Sequence, residues 1–147
     1  MFIEDEGIEL KSSKRITQQF GSNVHINVTS YNRLVLLTGE APTAKIKADI
    51  EKLIMGVDNV RKIYNEIAVA NATSLASRSN DTLLTSKVKT RFLTERKFQI
   101  NHVKIVSENA VVYLMGMVTR QEGDNAAQIA SGTSGVRKVV KVFEYIN

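Results

Sequence analysis

Apolar residues recur along this chain at two alternating spacings, and the whole series of spacings occurs twice. Residues 6–20 and 81–96 read as helical stretches, and Leu84, Val88 and Phe92 recur four apart in the second. Val24, Ile26 and Val28 then alternate with polar neighbours, which predicts a half-buried strand over 24–30. A second strand follows at 33–39, and the corresponding pair lies at 102–107 and 110–116. Tyr31-Asn32 and Glu108-Asn109 occupy the expected turns, since Asn tolerates a positive φ. Helices are predicted over 43–55 and 120–131, and last strands over 60–68 and 139–146. The order is α-β-β-α-β, twice. This predicts an α+β fold of two tandem modules, 1–69 and 81–147, joined by a linker at 70–80 rich in small and polar residues. Each module should be a small mixed three-stranded sheet with two helices on one face.

The repeat can be followed residue by residue. Val35, Leu37 and Gly39 fall on Val112, Leu114 and Gly116, a shift of 77. Ile8, Lys11, Arg15 and Ile16 fall on Leu84, Lys87, Arg91 and Phe92, a shift of 76. Gly56-Val57-Asp58-Asn59-Val60 resembles Gly135-Val136-Arg137-Lys138-Val139, a shift of 79. Gly39 and Gly116 are expected to end a strand. Gly56 and Gly135 are expected to end the second helix in a left-handed conformation.

Charge changes the picture. Residues 1–69 carry nine basic and nine acidic residues, whereas 70–147 carry eleven and six, so the net +5 sits wholly in the second half. Such asymmetry points to an anionic partner there. No apolar run reaches the roughly 18 residues that span a bilayer. The absence of cysteine excludes disulfides, thiolate metal sites and a cysteine nucleophile. Met1 to Glu6 is acidic and has no secretory pattern.

The repeated signature runs Val-x-Leu-x-Gly, helix, Gly-Val-x-x-Val, strand. Val35-Leu36-Leu37-Thr38-Gly39 with Gly56-Val57-Asp58-Asn59-Val60 carries it first, and Val112-Tyr113-Leu114-Met115-Gly116 with Gly135-Val136-Arg137-Lys138-Val139 carries it again. It resembles the BON domain of bacterial envelope proteins. Ile26-Asn27-Val28-Thr29, Tyr64-Asn65-Glu66-Ile67 and Ser79-Asn80-Asp81-Thr82 narrow the likeness to dual-BON outer-membrane lipoproteins of Gram-negative bacteria. The resemblance implies a non-catalytic, phospholipid-binding protein without cofactor that supports outer-membrane integrity. It also implies a periplasmic place at the inner leaflet of the outer membrane. A leader and an acylated cysteine, both absent from these residues, are then expected in the native form. Partners would be an anionic phospholipid surface (phosphatidylglycerol or cardiolipin), and outer-membrane or division-site proteins. No nucleic acid and no small-molecule substrate are expected.

The resemblance also makes the first helix of the second module the lipid-contacting element. Asn80 or Asp81 is positioned to cap that helix. At 100° per residue, Leu84, Val88 and Phe92 form one stripe toward the core. Leu83, Lys87, Thr90, Arg91 and Thr94 share an adjoining face, near Lys89, Arg96 and Lys97. The candidate lipid-binding residues are Leu83, Leu84, Lys87, Thr90, Arg91 and Thr94. A basic face with a protruding Leu suits the headgroup layer. Proteins that the chain resembles place an aromatic residue where Leu83 stands. Glu4, Asp5, Glu6 and Glu9 should make the first module's helix repel such a surface.

Other signals carry less. His25 and His102 lie 77 apart but point away from the core side of their strands, and no metal is expected. No Gly-x-Ser-x-Gly, HExxH or Walker pattern is present, so no catalytic residue is assigned. Ser131-Gly132-Thr133-Ser134-Gly135 reads as a loop, because a helix C-terminus has the wrong dipole for an anion. The alternative to lipid binding is an envelope protein–protein adaptor using the module interface, or an exposed strand face such as Leu34 and Leu36. RNA binding lacks both the Gly-x-x-Gly clamp and an aromatic strand platform.

Overall fold

A long helix opens each module, and both modules follow the predicted α-β-β-α-β order. The computed structural model describes residues 2–71, 75–95 and 103–146. The chain divides into units 1–73 and 74–147. The first contains α1 (Phe2–Phe20), a 3₁₀ turn (Gly21–Asn23), β1 (His25–Tyr31), β2 (Leu34–Ala41), α2 (Ala44–Met55), β3 (Lys62–Asn65) and β4 (Ala68–Val69). The second contains α3 (Leu75–Glu95), β5 (Lys104–Glu108), β6 (Val111–Val118), α4 (Arg120–Ser131) and β7 (Lys138–Tyr145). In each unit the hairpin is antiparallel, and the returning strand lies parallel to its second member. Helices α2 and α4 are the crossovers that a parallel return requires.

Each core is the meeting of two periods. In the first unit Ile8 and Ile16 of α1 meet Val35, Leu37 and Ala41 of β2 and Ile50 and Ile54 of α2. In the second, Leu84, Val88 and Phe92 of α3 meet Val112, Leu114 and Val118 of β6 and Ala126, Ile129 and Ala130 of α4. Thr43 caps α2 through Ile46 N–H. Thr119 and Glu122 form a capping box on α4.

Asp5 and Asp81 hold the two hairpins. The N–H groups of Asn32 and Arg33 donate to the Asp5 carboxylate at 2.9 and 2.8 Å, and Ser30 Oγ donates at 2.8 Å. The N–H groups of Asn109 and Ala110 donate to Asp81 at 2.6 and 2.9 Å. All four turn residues have positive φ, from +51° to +65°, as the tight hairpin turn requires at both centres. Arg33 and Ala110 are unusual there, and the carboxylate forks compensate their strain. The turns are therefore centred on Asn32-Arg33 and Asn109-Ala110, one residue beyond the sequence expectation. Burial, reinforced by the Asp5 charge, holds the Tyr31 phenol above its ordinary 10.0.

Several other expectations are corrected. Helix α3 opens at Leu75, inside the stretch read as linker, because Leu75 to Asn80 contains no Pro or Gly to stop it. Asp81 is thus inside the helix and neither it nor Asn80 is its cap. The last strands correspond at a shift of 76, since Lys62 pairs Leu34 and Lys138 pairs Val111. The counterpart of Gly56 is Gly132, and both end their helices with a φ of −81°. Gly135, at φ +95°, matches Asn59 at +75°. Gly39 and Gly116 lie within strands that continue to Ala41 and Val118. A Cβ at Gly39 would collide with the His25 carbonyl oxygen. Leu34 and Leu36 are buried, so they offer no exposed strand face.

Candidate functional site

The outward arc of α3 is built by what its inward arc must do. Leu84, Val88 and Phe92 bury themselves, and Asp81 beside them is taken up by the hairpin turn. That fixes the rotation of the helix. Leu83 then points outward at 57% exposure, with Lys87, Thr90 and Thr94 on the same side. Leu84 is only 6% exposed and does not belong to this face, because it is one residue, about 100°, round the helix.

Leu93 is a second exposed apolar residue on the arc, at 60%. It is missing from the candidates drawn from sequence. Helical spacing nevertheless puts Leu93 seven residues beyond Ser86, about 20° away in projection, so the sequence does carry the signal. Lys89 is exposed on the far side of the same arc. Among the described residues neither Lys87 nor Lys89 has an acidic partner. Arg96, Lys97 and His102 lie outside the described residues.

The hydroxyls on this surface are turned inward. Ser86, Thr90 and Thr94 each donate to the carbonyl four residues earlier, at 3.3, 3.0 and 3.0 Å. Their donors are satisfied within the helix, so Thr90 adds methyl surface between the two leucines and Thr94 adds it beyond them. Arg91 is half-buried and partly committed. Its Nη1 donates to the Ile129 carbonyl at the end of α4, 3.1 Å away. Leu83 and Lys87 wall two shallow depressions of about 320 and 430 Å³. One reaches Asn109 and Ala110, and the other reaches Arg91, Thr133 and Ser134.

The same positions on α1 make a different surface. The shift of 76 puts Gly7 where Leu83 stands, and a Cβ there would meet nothing within 4 Å. Thr17 replaces Leu93. The expected acidic repulsion is smaller than the sequence suggests. Asp5 is buried in its turn, and Glu9 accepts from Ser30 N–H at 2.8 Å. Glu4 and Glu6 remain exposed.

Comparison with known proteins follows this duplication. The BON domain family matches residues 5–71 and again 80–147. This chain belongs to the BON domain family. Its two BON modules together are 38% identical to Outer membrane lipoprotein DolP of Haemophilus influenzae, over 99% of this chain and 76% of that protein. They are 32% identical to a 21 kDa hemolysin of Actinobacillus pleuropneumoniae, over 98% and 75%. They are 27% identical to Osmotically-inducible protein Y of Escherichia coli, over 94% and 71%. The dual-BON, DolP-like reading of the sequence is thereby established. Among the described BON residues no cluster of His, Cys, Asp or Glu could hold a metal ion, and no helix is long and apolar enough to cross a membrane.

Proposed function

We propose that this envelope-associated protein is a non-enzymatic module that docks on anionic phospholipid through the outward arc of α3. The observation that carries the reading is two leucines more than half exposed on one helix face, flanked by Lys87 and Lys89. Leucine beside lysine suits the boundary between lipid headgroups and acyl chains. The DolP relative supports the envelope setting by its name. In this reading the protein works on the periplasmic side, at the inner leaflet of the outer membrane, and supports the integrity of that membrane.

Magnitudes fit weak, reversible docking. Each lysine near an anionic surface contributes about 1 kcal/mol. Partial burial of a leucine contributes about 1 kcal/mol more. The sum, about 4 kcal/mol, corresponds to an affinity of about 1 mM, so a second attachment signal would be needed for stable residence.

The test is cosedimentation with vesicles. Binding to vesicles containing phosphatidylglycerol or cardiolipin, and not to pure phosphatidylcholine, is expected. Leu83→Asp should abolish it while the thermal midpoint stays unchanged. Equal binding to both vesicle types, or undiminished binding of the variant, would remove the proposal.

A further inference from the structure

We infer that the open edge of β7 takes up an extended, acidic segment of another polypeptide as a further strand of the second module's sheet. This role is separate from lipid docking and rests on the backbone of β7.

The direction of that backbone decides which groups are open. Ile146 N–H donates to Val118 O at 3.0 Å, so the inward direction falls on every second residue, back through Glu144, Val142 and Val140. The N–H and C=O groups of Val139, Lys141, Phe143 and Tyr145 point the other way. Among the described residues no strand pairs with that side. A row of unpaired backbone groups is a template for another chain.

The other sheet edges are closed or shortened by identifiable means. β1 spends Ser30 N–H on the Glu9 carboxylate at 2.8 Å. The returning strand of the first module breaks at Asn65, whose Oδ1 accepts from Ile67 N–H. β5 is only five residues long. β7 runs for eight residues without Gly or Pro, and none of them has a positive φ. The side chains of its outward residues are also drawn toward α4. Phe143 lies in the core with Ala126 and Ile129, and Val139 and Tyr145 pack against that core. Lys141 Nζ lies 3.3 Å from Asp124, and Arg120 sits over the Tyr145 ring at 4.4 Å. Gly123 makes room for this, since a Cβ there would come within 3.1 Å of both aromatic rings. An incoming strand therefore meets backbone rather than bulky side chains.

Charge selects the occupant. Arg137, Lys138 and Lys141 are exposed along the strand, and Glu144 is the only acid between 137 and 146. The Lys141–Asp124 pair is exposed and too weak to withhold the lysine. A second copy would bring the same basic residues and its own net +5. A strand with acids opposite Lys138 and Lys141 instead forms a favourable cross-strand pair with each.

The experiment is NMR on the full chain, with the peptide acetyl-TTVTETVE-amide as probe. Its two glutamates fall opposite Lys141 and Lys138 in an antiparallel pairing with β7. In the chain alone, the amides of 139, 141, 143 and 145 should exchange with deuterium about tenfold or more faster than those of 140, 142 and 144. Peptide up to about 5 mM, which covers the weak binding of a single added strand, should shift the four outward amides saturably and slow their exchange. Acetyl-TTVTKTVK-amide should bind about fivefold more weakly. Lys141→Pro removes an outward N–H and no bond to β6, and it should abolish uptake. Lys141→Glu should reverse the order of the two peptides, and it decides alone if the proline variant does not fold. Slow exchange of the outward amides in the chain alone, no shift at β7 with the acidic peptide, equal binding of both peptides, or uptake that survives Lys141→Pro would overturn this role for the edge.

Discussion

Asp5 and Asp81 decide more of this structure than any apolar residue of their size. Each is buried and spends its carboxylate on two turn N–H groups that lie well over twenty residues away in sequence. Asp81→Ala should destabilise the second module by about 2 kcal/mol, since charge-assisted bonds are lost and the turn keeps its positive φ unaided. Urea unfolding followed at NMR peaks of that module measures it, and a change under about 0.5 kcal/mol would show that the fork is dispensable. Gly39→Ala should cost about 3 kcal/mol or more, because its Cβ would strike backbone rather than a movable side chain. Refolded protein with normal β1–β2 amide protection would contradict that. In sequence, Asp81 stands just before a helical period, where an aspartate usually caps. Periodicity does not show that the helix has already begun, or that the partner is a distant turn. The shift of 76 that pairs Asp5 with Asp81 is legible and is the clue to their shared role.

At the scale of elements, periodicity serves well where burial is one-sided and less well where it is not. The stripe of Leu84, Val88 and Phe92 is legible because each lies in the core. The face beside it is legible only in part. The sequence reading counts Leu84 on both surfaces and omits Leu93, both against the helical spacing, and it treats Arg91 as a free cation, when it also caps α4. The last strands mismatch by three residues in sequence because Val60 and Val139 sit in similar strings, while pairing to β2 and β6 decides the register. The first module's last strand also breaks where Asn65 Oδ1 accepts from Ile67 N–H and its Nδ2 donates to Lys47 O, a local interruption that β7 lacks. The paired substitutions on α3 separate its two roles. Leu84→Asp should cost about 3 kcal/mol or more by putting a charge in the core, whereas Leu83→Asp should stay within about 0.5 kcal/mol of the parent in thermal unfolding. Equal destabilisation by both would mean that Leu83 is a packing residue.

For the whole molecule, the charge asymmetry between the halves and the tandem repeat are legible in the sequence, and the family matches the repeat. What the repeat hides is divergence of use. Equivalent helices carry Gly7 and Thr17 in one module and Leu83 and Leu93 in the other. Docking should therefore weaken severalfold when salt rises from about 0.05 M to about 0.5 M, as lysine attraction is screened, yet retain a leucine-dependent remainder. The chain has no cysteine, so single cysteines can be introduced and labelled without ambiguity. An environment-sensitive fluorophore at position 83, 93 or 10, read on phosphatidylglycerol vesicles, tests the central claim most directly. Leu10 is the reference, being 72% exposed on α1. Blue-shifted, brightened emission at 83 and 93 but not at 10 is the predicted result, and an unchanged spectrum at 83 and 93, or an equal change at all three, would contradict the account.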